Sequence, residues 1–279
     1  MKSYFFIFKV SVLTLFLLVF NVNAMSSKQV KRCIDTKDNC YQQLRQAIQA
    51  EDINWVKSLI KSDADVNATN EYGETVLMWA SRYGSPESTK LLIEAGADVH
   101  AKDKNGMTAL MWASRYGDPE SAKLLIEAGA DVHATNEYGW TALHFASRHG
   151  DPENTKLLIE AGADVHAIEE YDGWTALHLA LRYGDPENPK LLIEAGADVN
   201  AIDEDGVTAL MWAIASNNPE NVKPLIEAGA DVNAKNEDGW TALHFTSRYG
   251  RSEKVKLLIE AGADVNAATE YGWTALMFA

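Results

Sequence analysis

Two hydrophobic patterns divide the chain. Residues 4–20 are almost continuously apolar, interrupted by the single charge of Lys9. From Tyr41 onward the apolar positions come in short bursts at helical spacing, separated by polar stretches that contain glycine. One burst, Leu77, Trp79 and Ala80, follows Thr75, a good N-cap, and stops at Gly84. Gly84 is expected in the left-handed conformation in which helices often end. Ser85-Pro86-Glu87 then restarts a helix, with a hydroxyl cap, proline in the first helical position and an acid in the first turn. That helix turns Leu91, Leu92 and Ala95 inward and stops at Gly96. Residues 98–106 form the turn into the next burst. The pattern predicts helix, turn, helix and hairpin-like loop.

The unit recurs. A Gly-x-Thr triplet begins at Gly73, Gly106, Gly139, Gly173, Gly206, Gly239 and Gly272, spaced by 33 residues except for one step of 34. Leu-Leu-Ile-Glu-Ala-Gly-Ala-Asp-Val ends at Val99, Val132, Val165, Val199 and Val265, and a Pro-Leu-Ile version ends at Val232. Such regularity suits a solenoid, in which each unit buries its apolar face only against its neighbours. The division is a partial unit at 41–66, repeats at 67–99, 100–132, 133–165, 166–199, 200–232 and 233–265, and a half repeat at 266–279.

Thr-Ala-Leu-His at 141–144, 175–178 and 241–244, with Gly-Ala-Asp-Val-Asn-Ala at 196–201, 229–234 and 262–267, resembles the ankyrin repeat. Ala stands throughout where that family has Pro in Thr-Pro-Leu-His. The near-identical copies also resemble exported bacterial members of the family. The resemblance implies an all-α solenoid of stacked helix-turn-helix units, hairpin-like loops projecting to one side, and binding of other proteins through the concave face and the hairpin tips.

The apolar run at 4–20 has a basic start at Lys2 and small residues before position 25, so residues 1–24 have the layout of a signal peptide. Seventeen residues including a lysine are short for a membrane span. Export to a periplasmic or extracellular location is expected, with an uncleaved anchor formed by residues 4–20 as the alternative. Residues 25–40 form a polar leader carrying both cysteines, Cys33 and Cys40. In an oxidising compartment a Cys33–Cys40 disulfide is expected; two free thiols are the plain alternative.

Charge sharpens the picture. The chain has 25 basic and 40 acidic residues, a net of −15. Residues 1–24 hold two lysines and no acid, and residues 25–40 hold four basic and two acidic residues, so the body from Tyr41 carries 19 basic against 38 acidic. That argues against nucleic-acid binding and for a basic protein partner.

Equivalent residues of stacked units form columns, and adjacent helices sit roughly 8–10 Å apart. Ligands that must lie about 2 Å from one metal ion cannot converge from such columns. The histidines His144, His178 and His244 are therefore not metal ligands; the resemblance implies that they are structural and link neighbouring turns, and His100, His133 and His166 are read as surface residues. No cofactor, metal or catalytic group is expected. Asp203-Glu204-Asp205-Gly206 lacks the ligands that complete a calcium loop. Where Met78-Trp79, Met111-Trp112 and Met211-Trp212 replace the His pair, the tryptophan is read as core compensation. Glu87, Lys90 and Glu94 and their counterparts form a solvated ladder on the second helices.

The candidate binding residues are aromatic and arginine. Trp140, Trp174, Trp240 and Trp273 follow the turn glycine, at positions expected to be exposed. Tyr72, Tyr138, Tyr171 and Tyr271 sit at the tips. Arg82-Tyr83, Arg115-Tyr116, Arg148-His149, Arg182-Tyr183 and Arg248-Tyr249 end the first helices. Tryptophan, tyrosine and arginine dominate binding hot spots. Replacing the four tryptophans is expected to abolish capture of a partner while barely lowering the melting temperature.

Three departures stand out. The extra residue of 169–173 should make that tip protrude. Ala215-Ser216-Asn217 interrupts the Arg-Tyr column, and Pro224 should bend its helix, so the fifth repeat is expected to be the weakest step. The final half repeat should expose Leu276 and Phe278, which reads as truncation at Ala279 or as a frayed end. Three functions remain: a non-catalytic exported binding module, the targeting arm of a larger enzyme, effector or toxin cut at residue 279, or a mainly structural periplasmic scaffold.

Overall fold

The computed structural model describes residues 37–149, 151–216, 219–249 and 252–278. Residues 1–24, expected to be a signal peptide, and Cys33 lie outside them; Cys40 is buried in the first helix. The described residues form fourteen α-helices: α1 Lys37–Gln49, α2 Ile53–Lys61, α3 Val76–Tyr83, α4 Pro86–Glu94, α5 Ala109–Tyr116, α6 Pro119–Glu127, α7 Ala142–His149, α8 Pro152–Glu160, α9 Ala176–Tyr183, α10 Asn188–Glu194, α11 Ala209–Ala215, α12 Val222–Glu227, α13 Ala242–Arg248 and α14 Ser252–Glu260. Two 3₁₀ turns, Pro219–Asn221 and Ala275–Phe278, join them, and among the described residues there is no strand. Antiparallel pairing is limited to single bridges such as Thr69 with Thr75 at the base of a loop.

The odd-numbered helices α1 to α13 pack in chain order as one row. The even-numbered helices α2 to α10 form a second row, and α12 and α14 each pack on the first helix of their own unit. Between the rows runs a line of fully buried leucines. Leu77, Leu110, Leu143, Leu177, Leu210 and Leu243 come from the first helices, and Leu92, Leu125, Leu158, Leu192, Leu225 and Leu258 from the second. Each pair is shared with the next unit, so the apolar content serves a long thin core.

Thr75, Thr108, Thr175 and Thr208 cap their helices, each side-chain oxygen accepting the N–H three residues on, at 3.2 Å from Met78 for Thr75. Gly96 has the expected positive φ, 85°. Gly84 does not: its φ of −90° and ψ of 175° are extended. Glycine is needed there for a different reason. A Cβ on its counterparts Gly117 and Gly184 would lie 2.4 Å from the Ser81 carbonyl and 2.2 Å from the Ser147 carbonyl of the preceding unit. The chain has to pass too close to its neighbour for any side chain.

The departures are resolved locally. Pro224 does not bend a helix, because a 3₁₀ turn precedes it and α12 starts only at Val222. This puts the proline in the first turn, where no helical acceptor is available for its missing N–H. In the longer loop the usual Asn or Asp is replaced by Glu169. Elsewhere Asn136 Oδ1 accepts the N–H groups of Tyr138 and Trp140. In the longer loop Glu169, one methylene longer, accepts those of Tyr171, Asp172 and Trp174. At the far end Leu276 is 81% exposed, but Phe278 is half-buried with its ring 4.8 Å from that of Trp240, which corrects the expectation that both lie open.

Candidate protein-binding face

The first helices α3, α5, α7, α9 and α13 each carry one arginine near their C-terminal end. Trp79 and Arg82 lie three residues apart and therefore on one side of α3. The same geometry recurs at Trp112 and Arg115, Phe145 and Arg148, and Leu179 and Arg182. Stacking the helices brings the arginine of one unit over the aromatic ring of the next. The Arg45 guanidinium lies 4.2 Å from the Trp79 ring centre, Arg82 4.3 Å from Trp112, Arg115 5.6 Å from Phe145, and Arg182 4.3 Å from Trp212. Where Leu179 takes the aromatic position, Arg148 stacks instead on Tyr183 at 4.7 Å. Arg248 lies over Trp240 of its own unit. The result is a row of guanidinium groups alternating with rings across the first-helix row.

This arrangement changes the reading of the Met-Trp pairs. Methionine takes the buried place of histidine, its sulfur receiving the Thr75 N–H at 3.4 Å as the His144 Nδ1 receives that of Thr141 at 3.1 Å. The tryptophan does not fill the core. Trp79, Trp112 and Trp212 are half-buried at its edge, serving as platforms for arginine.

The tryptophans that follow the turn glycine behave differently from one another. Trp273 is 49% exposed, and the tip tyrosines Tyr72, Tyr138, Tyr171 and Tyr271 are exposed. Trp140 and Trp240 are half-buried against Phe145 and Phe245, at 5.0 and 5.6 Å. Trp174 is buried, 9% exposed, edge-on to Trp212 at 5.4 Å. The expectation that these four are open to solvent is therefore corrected for three of them. Replacing Trp174 by Ala removes a core contact worth about 3–5 kcal/mol, so the fourfold replacement is not thermally silent. Tyr83, Tyr116, Tyr183 and Tyr249 stand exposed beside their arginines, as does His149 beside Arg148.

The tips and the arginine row enclose clefts. The larger, about 360 Å³, lies between the second and third repeats and is lined by Trp112, Arg115, Tyr138, Trp140, Phe145, Arg148 and His149, with Asn105, Met107 and Asn136 completing its wall. A smaller one of about 240 Å³ lies at Trp240, Phe245, Arg248 and Tyr249, bounded by Asn236 and Asp238. Burial, then the charges of Arg148 and Arg115, hold His149 below its ordinary pKa.

The buried histidines His144, His178 and His244 are structural. His144 Nε2 meets the Trp174 carbonyl of the next unit at 3.3 Å, and His244 Nε2 meets that of Trp273 at 3.0 Å. His178 keeps the Thr175 contact at 3.0 Å, but its Nε2 has no partner. No cluster of metal ligands occurs among the described residues. The lysines and acids of the second helices form exposed pairs such as Lys156 with Glu160, on the opposite row.

Arg45, Trp79, Trp112, Phe145 and Trp212 belong to this face and are not among the candidate binding residues read from the sequence, which assigns Trp79, Trp112 and Trp212 to the core. The i,i+3 spacing of Trp79, Trp112 and Phe145 to Arg82, Arg115 and Arg148 was available as a signal; Arg45 and Trp212 have no such spacing. A family model described as ankyrin repeats (3 copies) matches residues 44–136, 103–169, 143–236 and 210–279. No curated protein matches the chain.

Proposed function

Because the chain belongs to the ankyrin-repeat family, we propose that it is a non-catalytic binding module that receives a protein partner across its arginine–aromatic face. Ankyrin repeats are protein-interaction scaffolds, and among the described residues no helix is long and apolar enough to cross a membrane. The observation that carries the reading is the unbroken run of arginines and rings from Arg45 to Trp212. Among the described residues the ion pairs all use lysine, and none of those arginines pairs with a carboxylate. Such side chains are rigid, amphipathic and rich in donors, as partner-facing residues are. The signal-like layout of residues 1–24 supports export, so the module works in a periplasmic or extracellular setting.

The test uses residues 25–279 with a photo-crosslinker at Tyr138 on the face or at Lys156 on the opposite row. A partner joined at Tyr138 and not at Lys156, and lost with Arg115→Ala and Arg148→Ala in a chain of unchanged helicity, is the expected result. Joining at Lys156 alone overturns the assignment of the face.

A further inference from the structure

We infer that the cleft between the second and third repeats takes an acidic segment of the partner, a carboxylate next to an aromatic or aliphatic side chain, in spite of the chain's net charge of −15. The inference rests on the face assigned above and gives that face its specificity.

Local charge differs from total charge. Arg115, Arg148 and His149 line the cleft, and no Asp or Glu does. The tips that bound it are Asn105 and Tyr138, whereas the equivalent tips further on are Asp172, Asp205 and Asp238. The smaller cleft shows the contrast, because Asp238 lies in its wall beside Arg248. Coulomb attraction at contact distance outweighs charges a Debye length away, about 8 Å at physiological salt. A short acidic segment is therefore drawn to the cleft while a long polyanion meets the acidic remainder of the body.

The donors are waiting. In the wall of the cleft Arg115 Nε and Trp112 Nε1 are buried and have no hydrogen-bond partner, although Trp212 Nε1, in the place equivalent to Trp112, donates to Asp203 Oδ2 at 2.9 Å. A buried donor without a partner is unfavourable until an acceptor arrives. The stacked guanidinium groups are held by the rings of Tyr116, Phe145 and Tyr183, so a carboxylate would meet donors already in position. The ring walls of Trp112, Trp140 and Phe145 leave apolar room beside those donors. A volume of about 360 Å³ holds a few side chains rather than one ion.

The experiment selects short random peptides, displayed on phage, against immobilised residues 25–279. Enrichment of Asp and Glu beside aromatic or aliphatic residues is expected, with binding that weakens as salt rises. Arg115→Gln with Arg148→Gln should lower the affinity of those clones at least about tenfold, and Arg115→Lys with Arg148→Lys should keep part of it. Charge reversal, Arg115→Glu with Arg148→Glu, should turn selection toward basic clones; thermal melts confirm that each variant folds. Clones without acidic enrichment that are nevertheless lost with Tyr138→Ala or Phe145→Ala overturn the acidic specificity and leave the face. Clones insensitive to every change on the face, or no clones at all, overturn both.

Discussion

The buried histidine of each Thr-Ala-Leu-His turn bonds to its own threonine and in two cases reaches the next unit, and burial lowers the proton affinity of His144 and His178. His144 is pushed down to about 4, chiefly by desolvation, with the Trp174 carbonyl and nearby Glu169 only partly offsetting it; burial also lowers His178. The unfolded chain takes up a proton near pH 6.5, before the folded one does. The stability from keeping His144 neutral is therefore complete above about pH 6.5 and is lost as pH falls toward 4, in total about 3 kcal/mol. His144→Met copies the native Met78, Met111 and Met211 and should shrink the fall in melting temperature between pH 7 and pH 5. An unchanged fall would show that His144 is not its source. The Asn/His alternation one loop away has a similar origin. Asn67, Asn200 and Asn233 each clip two units, Asn200 receiving the Asp231 N–H at 2.8 Å and donating to the Gly229 carbonyl at 3.3 Å. The exposed side chain of His133 makes no such clip. His133→Asn should raise stability by about 1 kcal/mol in denaturant titration, and a loss would contradict this account. At this scale the sequence shows what is decided within one unit. Thr75 and the Ser85-Pro86 start are legible because caps act over three residues, whereas the need for Gly117 and Gly184 is set by a carbonyl of the preceding unit and cannot be seen in their own repeats.

Elements that depart from the repeat are repaired by their neighbours. Helix α11 ends at Ala215 without the Arg-Tyr-Gly finish, and the next second helix starts late through a 3₁₀ turn. Lys254 repairs this from the following unit. Its buried Nζ donates to the Ala213 and Ile214 carbonyls at 3.0 and 3.1 Å, where the second helices of other units have Ser88, Ser121 or Asn154. The sequence places Lys254 beside the solvated ladder of Glu253, Lys256 and Glu260, and nothing in the helical spacing distinguishes a lysine that turns inward to a foreign helix end. Lys254→Met keeps the apolar stem and leaves both carbonyls without that donor, at a cost of about 1–3 kcal/mol. Denaturant unfolding measures it, and a neutral result would mean that the contact is dispensable. Glu169 illustrates the opposite case, since the inserted residue and its longer carboxylate are adjacent in the chain and the compensation is local.

Over the whole molecule, stability is carried from unit to unit, so its weakest joint governs how the rod opens. Periodicity alone disclosed the solenoid, because each unit repeats the same burial problem. The identity of the binding face was less legible, because burial of Trp174 and exposure of Trp273 depend on what the next unit places against them. The arginine–ring row joins successive units until Ala215, which stands in register with Arg82 and Arg182 but has no guanidinium to lay over Phe245. Both polar atoms of the Asn221 side chain are also buried without partners in that unit. These deficits coincide in the fifth repeat, so the amides of α11 and α12 should exchange faster in native-state hydrogen exchange than those of α7 to α10. Ala215→Arg sits 30 residues before Phe245, the same separation as Arg82 and Trp112, and should restore the stack. An exposed cation–ring contact of this kind is worth about 0.5–1 kcal/mol, or roughly two- to fivefold slower exchange in α11 and α13. Faster exchange in the third and fourth repeats than in the fifth, or no slowing in the Ala215→Arg chain, would place the weak joint elsewhere.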